Sequence, residues 1–275
     1  MQRPTVRRPA VAGRFYPAKP EVLTRQVDQC LASDSSQPEK TDAALGCVVP
    51  HAGYMYSGHV AGAVFQRLPA RATYIILCPN HTGRGAPLAI MSKGTWLTPL
   101  GAAPIDADLA TGLQQSCHLL MEDAKAHENE HAIEVELPFL QRSVGTFTFV
   151  PIAIGVSRFA ALEALGHGMA QAVKSSVGRV MIVASSDMNH YEPDDVTRAK
   201  DRKAIDQILL LDPVGLYEIV RKEDISMCGY GPAVAMLTAV KDLGATGAEL
   251  VRYATSADTS GDRSSVVGYA GMVIS

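Results

Sequence analysis

Short apolar segments alternate with longer segments of helical periodicity, and this alternation restricts the fold more than any other feature of the chain. Five segments rich in β-branched and other apolar residues are predicted to be strands: LGCVV (45–49), TYIILC (73–78), FTFVPIAIG (147–155), VMIVAS (180–185) and VVGYAGMVI (266–274). Several of them are apolar throughout. Strands of that kind are expected in a sheet whose two faces are both covered.

Segments with helical spacing of apolar residues lie before and between these strands. The predicted helices are 22–32, 58–68, 158–175, 201–211 and 232–244. The last has Pro232 at its start and Gly244 at its end, which is the usual distribution of these residues. The alternation predicts a three-layer α/β fold with a largely parallel central sheet, in a single domain over residues 1–275. The polar segment 32–44 is predicted to be a loop.

The composition excludes several classes of function. A net charge of -3 gives no electrostatic reason to expect nucleic acid or an anionic membrane as a partner. The basic segment TRAKDRK (197–203) contains charges of both signs and is predicted to be a solvated helix face. No apolar run approaches the roughly 18 residues that span a bilayer. The five cysteines form no CxxC pair, so we expect a reducing compartment and a cytoplasmic protein.

The pentapeptide HENEH (127–131) matches the HExxH pattern of zinc peptidases. On a helix, His127 and His131 would share one face, and Glu128 would act as a general base. Positions 134 and 137 lack the glycine and histidine of the extended pattern, and Pro138 restricts the length of such a helix. A zinc peptidase is therefore the weakest of the alternative functions. His127 is predicted to lie at the surface.

Three other histidines each follow a predicted strand: His51, His81 and His190. Ligands of open α/β sheets bind beyond the carboxyl ends of the strands, so these imidazoles could converge on one ion. A single histidine in such a loop is more often only a partly exposed polar residue. Cys228, in SMCGYGP, precedes the last predicted helix, whose N-terminus is expected to lower the pKa of the thiol.

Seven motifs in order along the chain resemble those of the Memo-like family, whose bacterial and archaeal members are called AmmeMemoRadiSam system protein B. The motifs are RRPAVAGRFYP, VVPHAGYMYSG, LCPNHTG, EHAIEVELPFL, VASSDMNHY, MCGYGP and TSADTSGDRSSVVGYAG. That family is similar in architecture to class III extradiol dioxygenases of the LigB type. The resemblance implies His51, His81 and Cys228 as ligands of one divalent or redox-active metal ion. Iron is the first expectation, with copper or zinc as alternatives.

The resemblance also implies roles around the metal. His190 is expected to act as the acid/base or as an outer histidine, and His131 is expected to lie close to the cleft, where it could hydrogen-bond to a ligand or to bound oxygen. In the dioxygenase-type hypothesis, Asp187 could hold His190 through a short polar loop. Cys228 stands where the dioxygenases have a glutamate. A thiolate is softer and can be oxidised, so it widens the choice of metals and makes ring cleavage less certain.

Two functions follow from the resemblance. The first is a non-haem mononuclear oxidoreductase, of the dioxygenase type, with a small-molecule or peptide ligand in the cleft. The second is a non-catalytic metal-binding, redox or interaction protein that works with a radical S-adenosylmethionine enzyme and an AMMECR-type protein.

Overall fold

The computed structural model describes residues 5–32 and 41–275. The strands are β1 (Val6–Arg7), β2 (Gly46–Val49), β3 (Thr73–Pro79), β4 (Leu88–Ile90), β5 (Thr95–Thr98), β6 (Gly101–Pro104), β7 (Met121–Glu122), β8 (Thr148–Ile154), β9 (Val180–Ser185), β10 (His190–Glu192), β11 (Ala248–Thr255) and β12 (Val266–Ile274). The α-helices are α1 (Pro20–Leu31), α2 (Tyr54–Arg67), α3 (Ala107–Ser116), α4 (Leu137–Ser143), α5 (Phe159–Ser175), α6 (Asp194–Leu209), α7 (Pro213–Lys222), α8 (Tyr230–Asp242) and α9 (Ala257–Ser260). A short 3-10 helix covers Ala124–Ala126.

The main sheet has four parallel strands at its centre, in the order β2–β9–β3–β8. Strand β12 pairs antiparallel with β2 on one side and carries β10 and β11, also antiparallel. On the other side β4 pairs antiparallel with β8 and parallel with β7. The predicted α/β fold with a mostly parallel central sheet is therefore confirmed, with antiparallel strands added at both ends.

Successive residues of the central strands point to opposite faces of the sheet, and each face has its own hydrophobic core. In β3, Ile75 and Leu77 pack in the core that α3, α5, α6, α7 and α8 cover. Tyr74, Ile76 and Cys78 pack in the core that α1, α2 and α4 cover. Side chains alternate across a strand, so a strand with helices on both faces must be apolar at every position. This is why the central strands are continuous apolar runs.

All five predicted strands and all five predicted helices are present, with different ends for several helices. Helix α2 begins at Tyr54, and α6 begins at Asp194 with two acidic residues in its first turn, which favour a helix N-terminus. Helix α8 begins at Tyr230, so Pro232 lies within its first turn, where a missing N–H leaves no hydrogen bond broken. Of the predicted loop 32–44, residues 33–40 lie outside the described residues.

The predicted solvated face at 197–203 is only partly correct. Thr197 and Asp201 are fully buried. The reason is that Asp201 accepts hydrogen bonds from the backbone N–H of Asn189 and from the hydroxyl of Tyr253, so its polar atoms have partners inside the protein.

In the described part of the chain, no helix combines the length and apolar character that a bilayer span requires.

A second, three-stranded sheet lies outside the main one, in the order β1–β5–β6. Arg7 in β1 joins this sheet to the segment that precedes α4. The buried guanidinium forms an ion pair with Glu134 and donates to the carbonyl oxygens of His127, at 3.1 Å, and Glu130, at 2.6 Å. It also lies over the ring of Trp96. The small sheet thus fixes the segment 127–134 against the main sheet.

Candidate metal centre

Three neighbouring parallel strands end at the same edge of the main sheet and deliver polar side chains there. His51 follows β2, Asp187 follows β9 and His81 follows β3, and these strands are adjacent in the order β2–β9–β3. Parallel strands present their carboxyl ends at one edge, so side chains far apart in sequence meet there. Cys228 reaches the same place from the start of α8.

His51 is almost fully buried, at 2% exposure. Its backbone N–H donates to Asp187 Oδ1 at 2.8 Å, and its Nδ1 lies 2.9 Å from Ser185 Oγ. Its Nε2 lies 3.2 Å from Cys228 Sγ. Burial, together with the nearby His81, lowers the pKa of His51 to about 3. The imidazole is therefore neutral, which is the form that binds a metal.

His81 is held by the buried carboxylate of Glu130. The backbone N–H of His81 donates to Oε2 at 2.7 Å, and Nδ1 lies 2.9 Å from Oε1. Burial alone would raise the pKa of Glu130, but the hydrogen bond and charge of His81, with the charge of His131 and the amide of Ala132, lower it to about 2. The same contacts outweigh burial at the imidazole and raise the pKa of His81. Glu130 thus fixes the orientation of the His81 ring through Nδ1 and leaves Nε2 available for other contacts.

The Cys228 thiol lies between the His51 ring and the backbone of Asp187. The Asp187 N–H is 3.3 Å from the sulfur. Burial and the neighbouring Asp187 carboxyl raise the pKa of Cys228 well above its ordinary value. The predicted lowering of this pKa is therefore not the net effect, because burial of the thiol is the largest influence on it and raises it. A cation at the centre would reverse this, since metal coordination deprotonates a thiol.

The residues at this edge fit a metal ion by the chemistry of their donor atoms. The donor atoms of His51, His81 and Cys228 all lie within 4.8 Å of one another. Two ligands that each lie about 2.0–2.3 Å from an ion can be 3.2 Å apart, as the sulfur and His51 Nε2 are. Imidazole and thiolate donors suit zinc, copper and iron. These three residues could therefore hold a metal ion.

A second group, His81, Glu130 and His131, also lies within 4.8 Å. Its carboxylate is already engaged, because Glu130 accepts from the His81 ring and from the backbone N–H groups of His81, His131 and Ala132. We therefore interpret this group as the support of the first one.

A cleft of about 590 Å³ opens over these donor atoms. Phe15, Tyr191 and Tyr269 contribute aromatic side chains to its lining. His131 also lines it, with its ring stacked on His81 at a centroid distance of 4.8 Å and beside Phe15 at 4.7 Å. Burial and the nearby His51 lower the pKa of His131 to about 4. A neutral His131 offers a ligand in the cleft both a hydrogen-bond donor and an acceptor.

His190 lines the same cleft, but Asp187 does not orient it as predicted. The His190 backbone N–H donates to Ser226 Oγ at 2.7 Å, and Nδ1 lies 2.8 Å from the Ser226 carbonyl oxygen. A carbonyl only accepts, so Nδ1 carries a hydrogen, and in the neutral imidazole Nε2 is the acceptor. Asp187 instead accepts the His51 N–H, because it lies beside β2 at the sheet edge. Burial raises the pKa of Asp187.

The HENEH pentapeptide does not form a zinc-peptidase site. Residues 127–131 lie after the 3-10 helix in turns and bends, so His127 and His131 do not share a helix face. His127, predicted at the surface, is fully buried against Trp96 with ring centroids 5.7 Å apart. His131 lies in the cleft on the other side of this segment. The spacing of four matters only on a helix, and the segment is not helical.

Several residues of the centre were missed by the sequence analysis: Glu130, Ser185, Glu136 and Ser226. Glu130 directly precedes His131, and Ser185 ends a predicted strand, so both stood inside motifs already singled out. Ser226 precedes Cys228 by two positions. Their partners are distant in sequence, and no local signal identifies those contacts.

Comparison with known proteins places this geometry in a family. The model of the Memo-like protein family matches residues 7–273. A MEMO1 family protein from Methanopyrus kandleri is 44% identical over 97% of this chain and 98% of the relative. Another, from Methanosarcina barkeri, is 44% identical over 98% of this chain and 100% of the relative.

A solved structure supports the fold alone. The crystal structure of an uncharacterized protein from Escherichia coli K12 superposes with a TM-score of 0.59 at 14% identity, covering 83% of this chain and 98% of the other. The family match over nearly the whole chain and the relatives above 40% identity lead to one conclusion. The chain belongs to the family of Memo-like proteins.

Proposed function

We propose that the protein binds one metal ion at a mononuclear non-haem centre formed by His51, His81 and Cys228, and that it acts as an oxidoreductase on a small molecule in the cleft. The observation that carries the proposal is the convergence of two imidazoles and one thiol at the base of an open cavity. Each imidazole has its Nδ1 engaged, at Ser185 and Glu130, so each is oriented before a metal arrives.

Three protein ligands leave coordination positions for a substrate, which is the arrangement of catalytic rather than structural sites. Iron is our first choice of metal. Copper and zinc are alternatives, because the Cys228 thiolate is a softer donor than a carboxylate. Bound iron would supply Lewis acidity and one-electron redox chemistry at the base of the cleft.

The chain itself supplies proton transfer and orientation. His190 has its Nδ1 engaged at the Ser226 carbonyl oxygen and its ring lines the cleft, so Nε2 of the neutral imidazole can accept a proton from a bound hydroxyl group. His131, neutral and half-enclosed, can donate a hydrogen bond to the same ligand. Phe15 and Tyr191 add aromatic side chains to the cleft lining, against which an apolar part of the ligand can pack.

One observation favours a second function, a metal-binding redox protein without turnover. A thiolate ligand is itself oxidisable, so the metal and Cys228 could respond together to oxidants. The cleft volume of about 590 Å³ favours the enzyme, and the sulfur donor favours the redox protein.

Metal binding is tested first. The wild-type protein and the variants His51→Ala, Cys228→Ser and His118→Ala are purified without oxygen, and the metal bound per chain is measured. His118 is exposed and serves as the control. We expect about one ion per chain in the wild type and the control. The other two variants should contain much less metal, because their metal affinity falls at least tenfold. Unchanged metal content in Cys228→Ser would exclude the thiol as a ligand.

Turnover is tested second. The iron-loaded protein is mixed with a panel of aromatic diols, and oxygen consumption is followed. Consumption that depends on His190, and that is lost in His190→Ala while metal content is retained, supports the oxidoreductase. Full metal content with no consumption across the panel supports the redox protein instead.

A further inference from the structure

The two histidines of the proposed centre are supported by carboxyl groups in different states. Glu130 contacts His81 directly, with 2.9 Å between Oε1 and Nδ1. Glu136 reaches His51 through the Ser185 hydroxyl, at 2.9 Å on each side. Both carboxyl groups are fully buried.

Glu130 is surrounded by donors. Its two oxygens accept the His81 ring N–H and three backbone N–H groups, those of His81, His131 and Ala132. A carboxylate is acceptor-only, whereas a protonated carboxyl group needs an acceptor for its own hydrogen. Three backbone donors spread over both oxygens favour an ionised side chain, and the His81 ring, which can donate from Nδ1, is then the fourth donor. Three of the donors belong to the backbone, so the carboxylate cannot turn away from the ring.

Glu136 has the opposite surroundings. Its Oε1 contacts Ser185 Oγ, and its Oε2 has no hydrogen-bond partner among the described residues. The Ser185 hydroxyl has one proton to give and also lies 2.9 Å from the Ala132 carbonyl oxygen, which can only accept. A protonated Glu136 can donate to Ser185 Oγ and leave the serine proton for Ala132. Glu136 is therefore a neutral carboxyl group.

We propose that Glu130 is a positioning residue that fixes His81 and adds a fixed negative charge beside the centre, which makes the centre favour a divalent over a monovalent ion. The inference rests on the proposed function, because it concerns the same three ligands. The attraction between a fixed charge and an ion is proportional to the charge of the ion. Loss of the Glu130 charge should therefore weaken the binding of a divalent ion more than the binding of a monovalent ion.

The residues around the centre provide a matched comparison. Glu130→Gln removes a charge, whereas Glu136→Gln replaces a neutral group by another of the same shape whose amide can still donate to Ser185. Glu130→Asp keeps the charge and shortens the reach to the His81 ring. The affinity of each variant for cobalt(II) and for copper(I) is measured without oxygen, and the cobalt absorption bands that report thiolate ligation are recorded.

For Glu130→Gln we expect cobalt(II) affinity to fall about 10–100-fold, with a clearly smaller fall for copper(I). Glu136→Gln should change both affinities less than about threefold. Glu130→Asp should lose affinity for both ions while keeping the wild-type ratio between them. If Glu130→Gln does not fold, the Asp variant still tests the positioning role by its loss of affinity.

Different failures have different meanings. A wild-type protein that binds neither ion overturns the proposed function itself. A wild-type protein that binds cobalt(II) while Glu130→Gln binds it equally well overturns this inference and leaves the proposed function in place. Equal losses of affinity for the two ions in Glu130→Gln overturn the charge effect. A loss of affinity in Glu136→Gln as large as in Glu130→Gln overturns the special role of Glu130, because any change of a buried carboxyl group would then have the same result.

Discussion

Buried carboxyl groups near the cleft differ in charge because their partners differ. Glu130, with four N–H donors, has its pKa lowered to about 2. Burial raises the pKa of Glu136 well above its ordinary value, because only a hydroxyl faces it. Burial also raises the pKa of Asp201 to about 7, partly offset by the hydrogen bonds from Tyr253 and Asn189. Partner chemistry, and not burial alone, decides which of these groups is charged at neutral pH.

The pKa of Asp201 makes the stability of the protein depend on pH. In the unfolded chain an aspartate loses its proton near pH 4, whereas folded Asp201 keeps it to about pH 7. The folded state binds the extra proton in this interval, so the stabilisation is complete below about pH 4 and is lost as the pH rises towards 7. Asp201→Asn cannot ionise. We therefore expect its free energy of unfolding, relative to that of the wild type, to rise by about 2 kcal/mol as the pH is raised from about 5 to 7.

Urea unfolding of both proteins at these two pH values measures the difference. The asparagine oxygen can still accept the Asn189 N–H. Its amide group then faces the Tyr253 hydroxyl, but that change is the same at both pH values, so the change of the difference with pH isolates ionisation. A difference in free energy of unfolding that does not change with pH would contradict the raised pKa.

At the level of elements, a close contact between α1 and α2 depends on two glycines one turn apart. A Cβ at Gly58 would lie 2.8 Å from the Cys30 sulfur, and a Cβ at Gly62 would overlap the backbone carbonyl of Cys30. A backbone atom cannot move aside as a side chain can, so the helices would have to separate. Glycine at these positions is required by packing and not by backbone conformation.

We expect Gly62→Ala to lower the free energy of unfolding by about 2–3 kcal/mol, because an overpacked contact must open. Gly112 in α3 is the control, since a Cβ there would meet no atom within 4 Å. Gly112→Ala should raise the free energy by about 0.5–1 kcal/mol through helix propensity. Thermal or urea unfolding of the two variants measures both changes in the free energy of unfolding. A neutral Gly62→Ala would show that the two helices can move apart freely.

At the scale of the whole molecule, Arg7 connects the small sheet to the candidate metal centre. Its ion pair with Glu134 is buried at both ends, and it holds the carbonyl oxygen of Glu130, whose side chain fixes His81. Glu134 also accepts the N–H groups of Ala10 and Val11. The first described strand thereby positions the segment on the far side of the cleft.

Removal of the Arg7 guanidinium should leave the Glu134 carboxylate buried without its cation. We expect Arg7→Met to lower the free energy of unfolding by about 3 kcal/mol, and the double variant with Glu134→Gln to recover part of this loss. The metal affinity of Arg7→Met should fall as well, because the segment that carries Glu130 loses an anchor. Urea unfolding and metal titration measure the two effects. A loss below about 1 kcal/mol would mean that the pair behaves like a surface ion pair.

Much of the fold and the location of the site could be predicted from the sequence because those signals are local. Continuous apolar runs such as 73–78 indicate strands covered on both faces, and α5 follows from its own periodicity. His51 and His81 could be placed at one sheet edge because each directly follows a strand, and parallel strands end at the same side. The short strands β4 to β7 were missed, since two to four residues give no periodic signal.

The amino-acid order of the chain determined which residues form the central strands, that the sheet is mostly parallel, and which side chains stand at its carboxyl edge. Tertiary structure alone decided the partners of those side chains: Glu130 for His81, Ser226 for His190, and the burial of His127 in a segment that is not helical. The two hydrogen bonds join residues 49 and 36 positions apart, and the burial of His127 depends on packing against other parts of the chain, so periodicity carries no information on these outcomes.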